Sequence, residues 1–552
     1  MNRLLAVLPG AVLLAVALGA GAAFGQGHTL WQDGGVKLCG TAADIPVLAV
    51  SDSAGGAIFV WPDVRNSPEG VYAQRVSANG VPLWTENGVL LCNSAGLGAL
   101  GATSDGEHGA IAVWFGFGPP FAVQRVNADG VPLWGSNGLI LRPPRESVVE
   151  TPALVRDGHG GAIVVWNTYS IYFQVDTLVA CRVDSAGNRE WETVVRVDTM
   201  GVDPPRLCED GSGGVIIAWY EYSGYSGHWA VRAQRVDSAG TMRWESGGVP
   251  VCTLATVQYS MGCMAVGGSC FVESWLDGGG GGWRYRAQMF DLAGNRLWNS
   301  TGVPVSGVFN SNTTAVGLPT VNAGQSVWIW EENRTGTHDI FAQKLDSSGT
   351  RCWDTTGVWV GTTDTADGYP FSATIDGRGG AVAGWPLCGS GHTDDIYAQH
   401  VDSAGHLCWS DTGLAVCLDP HRQEWTPATV ADGAGGAILA WLDGRGIYAQ
   451  RVADGAGVME APNAEVRTTN TGPTVVQGVL FLPPNREGRV AHCPTGASEA
   501  NGELLNVSGR KVLDLHPGAN DVRALASGVY FIRQALGVKR GASDVTRVII
   551  TR

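Results

Sequence analysis

The residues best suited to chemistry in this 552-residue chain are aromatic, and they cluster. Tyr220, Glu221, Tyr222, Tyr225, His228 and Trp229 fall in one stretch, and Trp283, Arg284 and Tyr285 in another. Exposed Tyr and Trp present large flat surfaces that stack on sugars or peptides at small entropic cost. Tyr220, Tyr222, Tyr225, Trp229, Trp283 and Tyr285 are therefore the candidate ligand-binding residues, with core capping as the competing reading. Catalytic patterns are lacking: there is no HExxH, GxSxG or phosphate-loop sequence. The eleven histidines are scattered and no CxxC pair occurs, so no catalytic residue, metal site or cofactor is assigned. Carboxylates from separate parts of the chain remain available to a glycosidase or lyase pair.

A smaller motif recurs as Trp61-Pro62-Asp63-Val64-Arg65, Trp330-Glu331-Glu332-Asn333-Arg334 and Trp441-Leu442-Asp443-Gly444-Arg445. Repetition argues against catalysis, because an active site needs each group once. An ion pair bracing a loop is expected instead.

These residues must be positioned by a repeat, and two tryptophan series reveal it. One is Trp61, Trp114, Trp166, Trp219, Trp275, Trp330, Trp385 and Trp441, at spacings of 53, 52, 53, 56, 55, 55 and 56. The other is Trp31, Trp84, Trp134, Trp191, Trp244, Trp298, Trp353 and Trp409, at spacings of 53, 50, 57, 53, 54, 55 and 56. A repeat of this length carrying several short strands is the pattern of a propeller blade. The expected fold is all-β, an eight-bladed β-propeller over residues 26–452.

The third unit shows how a blade is written. A first strand ends at Asp157, Gly158-His159-Gly160-Gly161 turns the chain, and Ala162 to Trp166 is β-branched and strand-like. The third strand carries a run seen elsewhere as Tyr72-Ala73-Gln74-Arg75-Val76; Asp184-Ser185-Ala186-Gly187 then turns into a fourth strand with Trp191. Asp stands nine residues before the first-series tryptophan in six units, as Asp52, Asp105, Asp157, Asp210, Asp376 and Asp432. These Asp-Gly runs lack the alternating oxygen ligands of a calcium loop and read as turns. The last unit has Trp441 but no second-series tryptophan after it, while Trp31 to Val36 stands alone at the other end. An N-terminal strand completing the last blade is expected to close the ring. The turns after first and third strands are short and uniform, whereas the other two connections vary. All diversity therefore falls on one face, where a site is expected.

Bulk properties set the remaining bounds. The 79 glycines fit many tight turns, and a net charge of −15 without a Lys/Arg cluster excludes a nucleic-acid footprint. Residues 1–25 read as a signal peptide: Arg3, an apolar run from Leu4 to Ala23, and Ala23-Phe24-Gly25 before the cut. The alternative is an uncleaved anchor; no integral membrane segment is expected after cleavage. Of the twelve cysteines, Cys39, Cys92, Cys252, Cys417, Cys352 and Cys408 keep repeat register and read as small buried hydrophobes, because equivalent sites on different blades lie too far apart to bridge. Cys263 and Cys270 are the pair expected to bond across a hairpin.

Asp237 to Trp244 resembles the docking repeat of quinoprotein dehydrogenases, but it is one residue short, lacks the Thr-Gly-Lys core, and has no adjacent cysteine pair to accompany it. The Asp-box spacing of sialidases is also departed from. The stronger resemblance follows a linker at 453–475. In residues 476–552, short strand-like runs are separated by turn residues, as in a small Ig-like β-sandwich. Asn506-Val507-Ser508-Gly509-Arg510-Lys511-Val512, then Gly528-Val529-Tyr530-Phe531-Ile532-Arg533, then a basic and apolar end resemble the type A sorting domain of type IX (Por) secretion. Gly509, Arg510, Lys511, Gly528, Val529, Tyr530 and Phe531 carry the motif. The resemblance implies Sec export, passage across an outer membrane by the type IX machinery, and a cell-surface or extracellular destination. The expected function is a binding module for an extracellular glycan or protein. A polysaccharide hydrolase or lyase on the variable face is the alternative.

Overall fold

The computed structural model describes residues 27–40, 47–454 apart from short loop segments, and the strands between 474 and 550. The signal-like segment at 1–25 lies outside the described residues. All regular structure among the described residues is β-strand. The chain divides into two compact units, Met1–Pro462 and Asn463–Arg552.

The first unit is an eight-bladed propeller. Seven blades are four-stranded antiparallel sheets in chain order, spanning 48–93, 97–142, 148–198, 206–250, 257–304, 315–362 and 372–417. The eighth takes Ala428–Ala431, Ala437–Asp443 and Gly446–Asp454 from one end of the unit and Gly27–Thr29 and Val36–Cys39 from the other. Gly27 pairs with Asp454, Thr29 with Val452 and Val36 with Ala449. Eight apolar cores, one between each pair of neighbouring blades, hold the ring. The core joining last to first packs Trp31, Leu38, Ile438 and Leu442 against Phe59 and Trp61. The eight first-series tryptophans are among the most completely buried side chains, each contributing on the order of 3 kcal/mol against truncation to Ala.

Three polar devices repeat around this framework. In the six units that carry it, the turn aspartate accepts two backbone N–H groups on Oδ1, as Asp157 does from His159 and Gly161 at 2.8 Å each. In five of them its Oδ2 faces a third-strand arginine, as Asp157 with Arg182 at 2.9 Å and Asp210 with Arg235 at 2.9 Å; in the remaining one Asp376 faces His400. The second device reaches the next blade. Trp84 Nε1 and Arg75 Nη1 both donate to the Ala128 carbonyl, at 3.0 and 3.3 Å, and Trp31 with Arg451 do the same to Ala78 across the closure, at 3.0 Å each. At that joint Gly80 must be glycine: its φ is +77°, and a Cβ there would lie 2.7 Å from the Trp31 ring.

The third device is a buried glutamine. Gln124 accepts from the Trp134 N–H at 2.8 Å and donates to the Gly135 carbonyl at 2.6 Å, standing in for ladder bonds. Consequently the second-series tryptophan precedes the fourth strand in these blades, Trp134 lying before Leu139–Arg142. The third blade has Cys181 at the glutamine position, which offers no such clamp, and there the fourth strand runs unbroken from Arg189 to Asp198 with Trp191 inside it.

The cysteine expectations need correction. Cys39, Cys92, Cys252 and Cys417 are buried, but Cys352 is exposed and Cys408 half-buried, because both stand beside the surface turns that precede Trp353 and Trp409. Cys263 does not meet Cys270, which pairs with Val266 at the hairpin end. Its sulfur lies 2.9 Å from that of Cys208 on the neighbouring blade.

In the second unit a five-stranded sheet joins Thr474–Val476, Ser543–Ile550, Gly528–Ala535, Gly502–Leu505 and Lys511–Leu515 in that order. Val479–Leu482 and Gly518–Asp521 pair separately.

Candidate functional site

Four of the six candidate aromatic residues converge on one feature. Tyr220 and Tyr222 lie on Val215–Ser223, and strand alternation turns both towards the fifth blade with Ile216 and Ala218. Trp229, paired opposite Tyr222, packs edge-on against both tyrosines, with ring centroids 5.5 Å apart in each case. Tyr220 then meets Tyr259 of the fifth blade edge-on at 5.3 Å, and Tyr259 stacks on Trp283 at 6.0 Å. The result is a ladder of five half-buried rings, Tyr222–Trp229–Tyr220–Tyr259–Trp283, spanning two blades.

Tyr259 was not among the sequence candidates, since nothing near it repeats or clusters; its partner ring on the adjacent blade supplies its role. Tyr285 leaves the set. It shares a strand face with Trp283 but sits deeper, 2% exposed, packed on Phe309 and Trp330 between the fifth and sixth blades. Tyr225 lies outside the described residues.

The carboxylate between the two tyrosines is bound internally. Glu221 alternates to the opposite side of its strand from Tyr220 and Tyr222. It is held by Arg196 at 2.9 Å, Arg232 at 2.7 Å and the Trp219 indole at 3.0 Å. Burial lifts the Glu273 carboxyl well above the usual range, only partly opposed by the Ser260 hydroxyl and the charge of Arg206. Burial likewise raises Glu331, against the pull of His338 at 2.9 Å. These two glutamates belong to different blade interfaces. The recurrent carboxylate–guanidinium motif acts as a brace where it is described. Asp63 pairs with Arg65 while capping the Trp61 indole at 3.1 Å, and Asp443 with Arg445 while capping Trp441 at 3.3 Å. Burial opposes ionisation of Asp63, but the Arg65 hydrogen bond outweighs it and holds the carboxyl below its usual value.

Among the described residues one group has metal-ligand chemistry: a nitrogen of His400, the Cys408 sulfur and an Asp454 oxygen lie within 4.8 Å of one another. Both ring nitrogens already face carboxylates, Nδ1 on Asp454 at 2.7 Å and Nε2 on Asp376 at 3.0 Å. Burial lowers the His400 pKa, but these two bonds outweigh it and push it up to about 11. An ion pair, not a vacant ligand set, is what the donors form. On the face of the uniform turns, a depression of about 620 Å³ is lined by Asp105, Glu107, Arg156, Asp157, His159 and Glu209. Its charges are paired among neighbours, Arg156 with Glu209 at 2.8 Å and Arg125 with Glu107 at 2.7 Å.

Of the sorting-motif residues, Lys511 opens an edge strand and Gly528, Val529, Tyr530 and Phe531 begin the central strand of the five-stranded sheet. Gly509 and Arg510 lie outside the described residues.

No family model matches this chain, and no curated protein matches it. Solved structures similar to it include a protein of unknown function from Dyadobacter fermentans, at 11% identity, 56% of this chain, 95% of that one and TM-score 0.33. The Penicillium chrysogenum α-L-arabinanase complexed with arabinobiose gives 13%, 56%, 94% and 0.32. The β-propeller domain of the Trilobed protease from Pyrococcus furiosus gives 8%, 68%, 98% and 0.37. With every score under 0.5, the fold assignment rests on the strand order and the eight cores.

Proposed function

We propose that this chain is an exported recognition module that binds an extracellular glycan along the aromatic ladder of the fourth and fifth blades. Residues 476–552 act as its type IX sorting domain, an Ig-like sandwich. The observation that carries the reading is the ladder itself. Five rings from four strands are locked by edge and stacking contacts yet stay partly open, which suits stacking on successive sugar rings with little entropy left to lose. Glu221 beside it is already neutralised by Arg196 and Arg232, so the reading rests on ring stacking, which suits a neutral polymer. A hydrolase or lyase on the same face has less behind it: the two glutamates with raised pKa lie in separate interfaces.

Glycan-array binding by the full mature chain tests this. Trp229→Ala and Trp283→Ala are each expected to weaken binding about 30-fold, as for an anchor worth about 2 kcal/mol, while Tyr285→Phe leaves it unchanged. Saturable binding indifferent to both tryptophans, or capture only of a protein partner, overturns the assignment. In a host with type IX secretion, the full chain is expected outside the cell and a chain ending at residue 462 in the periplasm.

A further inference from the structure

Cys208 and Cys263 are 55 residues apart in the chain, yet their sulfurs stand 2.9 Å apart. Cys208 lies on Arg206–Glu209 and Cys263 on Val257–Val266, the first strands of the fourth and fifth blades. First strands line the ring's inner edge, where neighbouring blades converge. Other near-equivalent positions meet in the same way: Arg156 with Glu209 at 2.8 Å, and Ser372 with Thr429 at 2.5 Å. The two cysteines are packed in one apolar core with Ile216, Phe271 and Trp275.

We propose that Cys208 and Cys263 form a disulfide that staples the fourth blade to the fifth, the two blades that the Tyr220–Tyr259 contact of the aromatic ladder also joins. The sulfurs are within about 1 Å of the covalent separation of about 2.05 Å, a gap that small side-chain rotations close. That the bond forms in the cell rests on the export reading, since cytosolic thiols are kept reduced. The chemistry is exchange with a carrier disulfide. One cysteine thiolate attacks the carrier and expels a carrier thiolate; the second cysteine thiolate then attacks the mixed disulfide and expels the other. Two cysteines are oxidised, one carrier disulfide is reduced to two thiols, and the two cysteine protons end on those thiols.

Timing follows from the surroundings. Burial, the Cys208 contact and Glu273 hold the Cys263 thiol well above its usual pKa, so the packed, reduced pair ionises poorly. Exchange therefore belongs to the folding chain, before this interface closes. Once made, the bond fixes Tyr259, four residues from Cys263 on the same strand, relative to its ring partner Tyr220 on the fourth blade.

The test refolds the full mature chain from denaturant in a mixture of oxidised and reduced glutathione, alkylates remaining thiols, and maps peptides by mass. The expected product is a 208–263 linked peptide, lighter by two hydrogens and lost on reduction, with two fewer alkylated thiols than the reduced chain. Oxidised wild type is expected to melt higher than reduced, a difference absent from the Cys208→Ser/Cys263→Ser double variant. If that variant does not fold, the wild-type map decides. Recovery of both cysteines alkylated from folded oxidised protein, or of Cys263 linked to Cys270, overturns the proposal. Free thiols at both positions in chain collected from outside cells likewise overturn the proposal, whereas a link in the refolded chain with no chain found outside cells overturns the export reading instead.

Discussion

His400 stands where five other blades place arginine, at Arg75, Arg125, Arg182, Arg235 and Arg451. Those arginines reach a turn carbonyl of the next blade; His400 instead meets the Asp454 carboxylate, because the eighth blade leaves off its third strand there. Its charged form is favoured, with the pKa pushed up to about 11 from an ordinary value of about 6.5. A raised pKa contributes stability that is complete below the unfolded value and is lost as pH rises towards the folded one. Asp376 and Asp454 are shifted the other way: burial raises both, the His400 bond outweighs it, and their contribution fades only in acid below the usual carboxylate range. The difference in melting temperature between wild type and His400→Gln should be largest near pH 6 and shrink steadily towards pH 10. A constant difference across that range would show that the imidazole charge has no part in the joint. Sequence reading passed over this histidine as one of eleven scattered ones, since a substitution within a repeat does not announce the partner that makes it tolerable. The aromatic candidates failed similarly at Tyr285, because alternation gives the side of a strand and not its depth in the ring.

At the scale of the element, the turn aspartate and its basic partner recur together in six blades, of which the seventh blade has His400 in place of arginine, and the fifth blade replaces both. The fifth blade has Val266 and Met289 at the two positions, both buried in an apolar core. A buried pair broken on one side leaves an uncompensated charge, whereas an apolar replacement of both partners is tolerated. Asp157→Val alone is expected to cost about 3–5 kcal/mol, and Asp157→Val with Arg182→Met distinctly less than the sum of the single changes. Denaturant melts of the four proteins measure the coupling, and strict additivity would mean the pair does not act as one. The turns and strands were legible because Asp, Gly and β-branched residues act locally. The glutamine clamp was not: the recurring Ala-Gln-Arg run shows that something is required, but the bonds from Gln124 to Trp134 and Gly135 run to a segment ten residues on. The Cys208–Cys263 contact escaped for a geometric reason. Repeat arithmetic treats all equivalent positions as a blade apart, while the inner strands are brought into contact.

For the whole molecule, the decisive element is the N-terminal pair of strands. Removing residues 27–39 takes Trp31, Val36 and Leu38 from the closing core and leaves the backbone of Gly446–Asp454 as an open edge. The truncated chain is expected to lose cooperative unfolding or to associate edge to edge, read by calorimetry and light scattering; a monomer with an unchanged melting temperature would show that closure contributes nothing. The eight-fold repeat and its completion by an early strand were legible because tryptophan recurs at nearly constant spacing and one copy is displaced to the start.

The pairing of Gly27 with Asp454 also means that the ring has no privileged first blade. Its two ends are already neighbours on adjacent strands, so a short linker between them turns the chain into a loop, and every variable connection becomes an equivalent place to begin. Chain order and spatial order are separable here: the same eight interfaces persist under circular permutation, and only the phase of the seam moves.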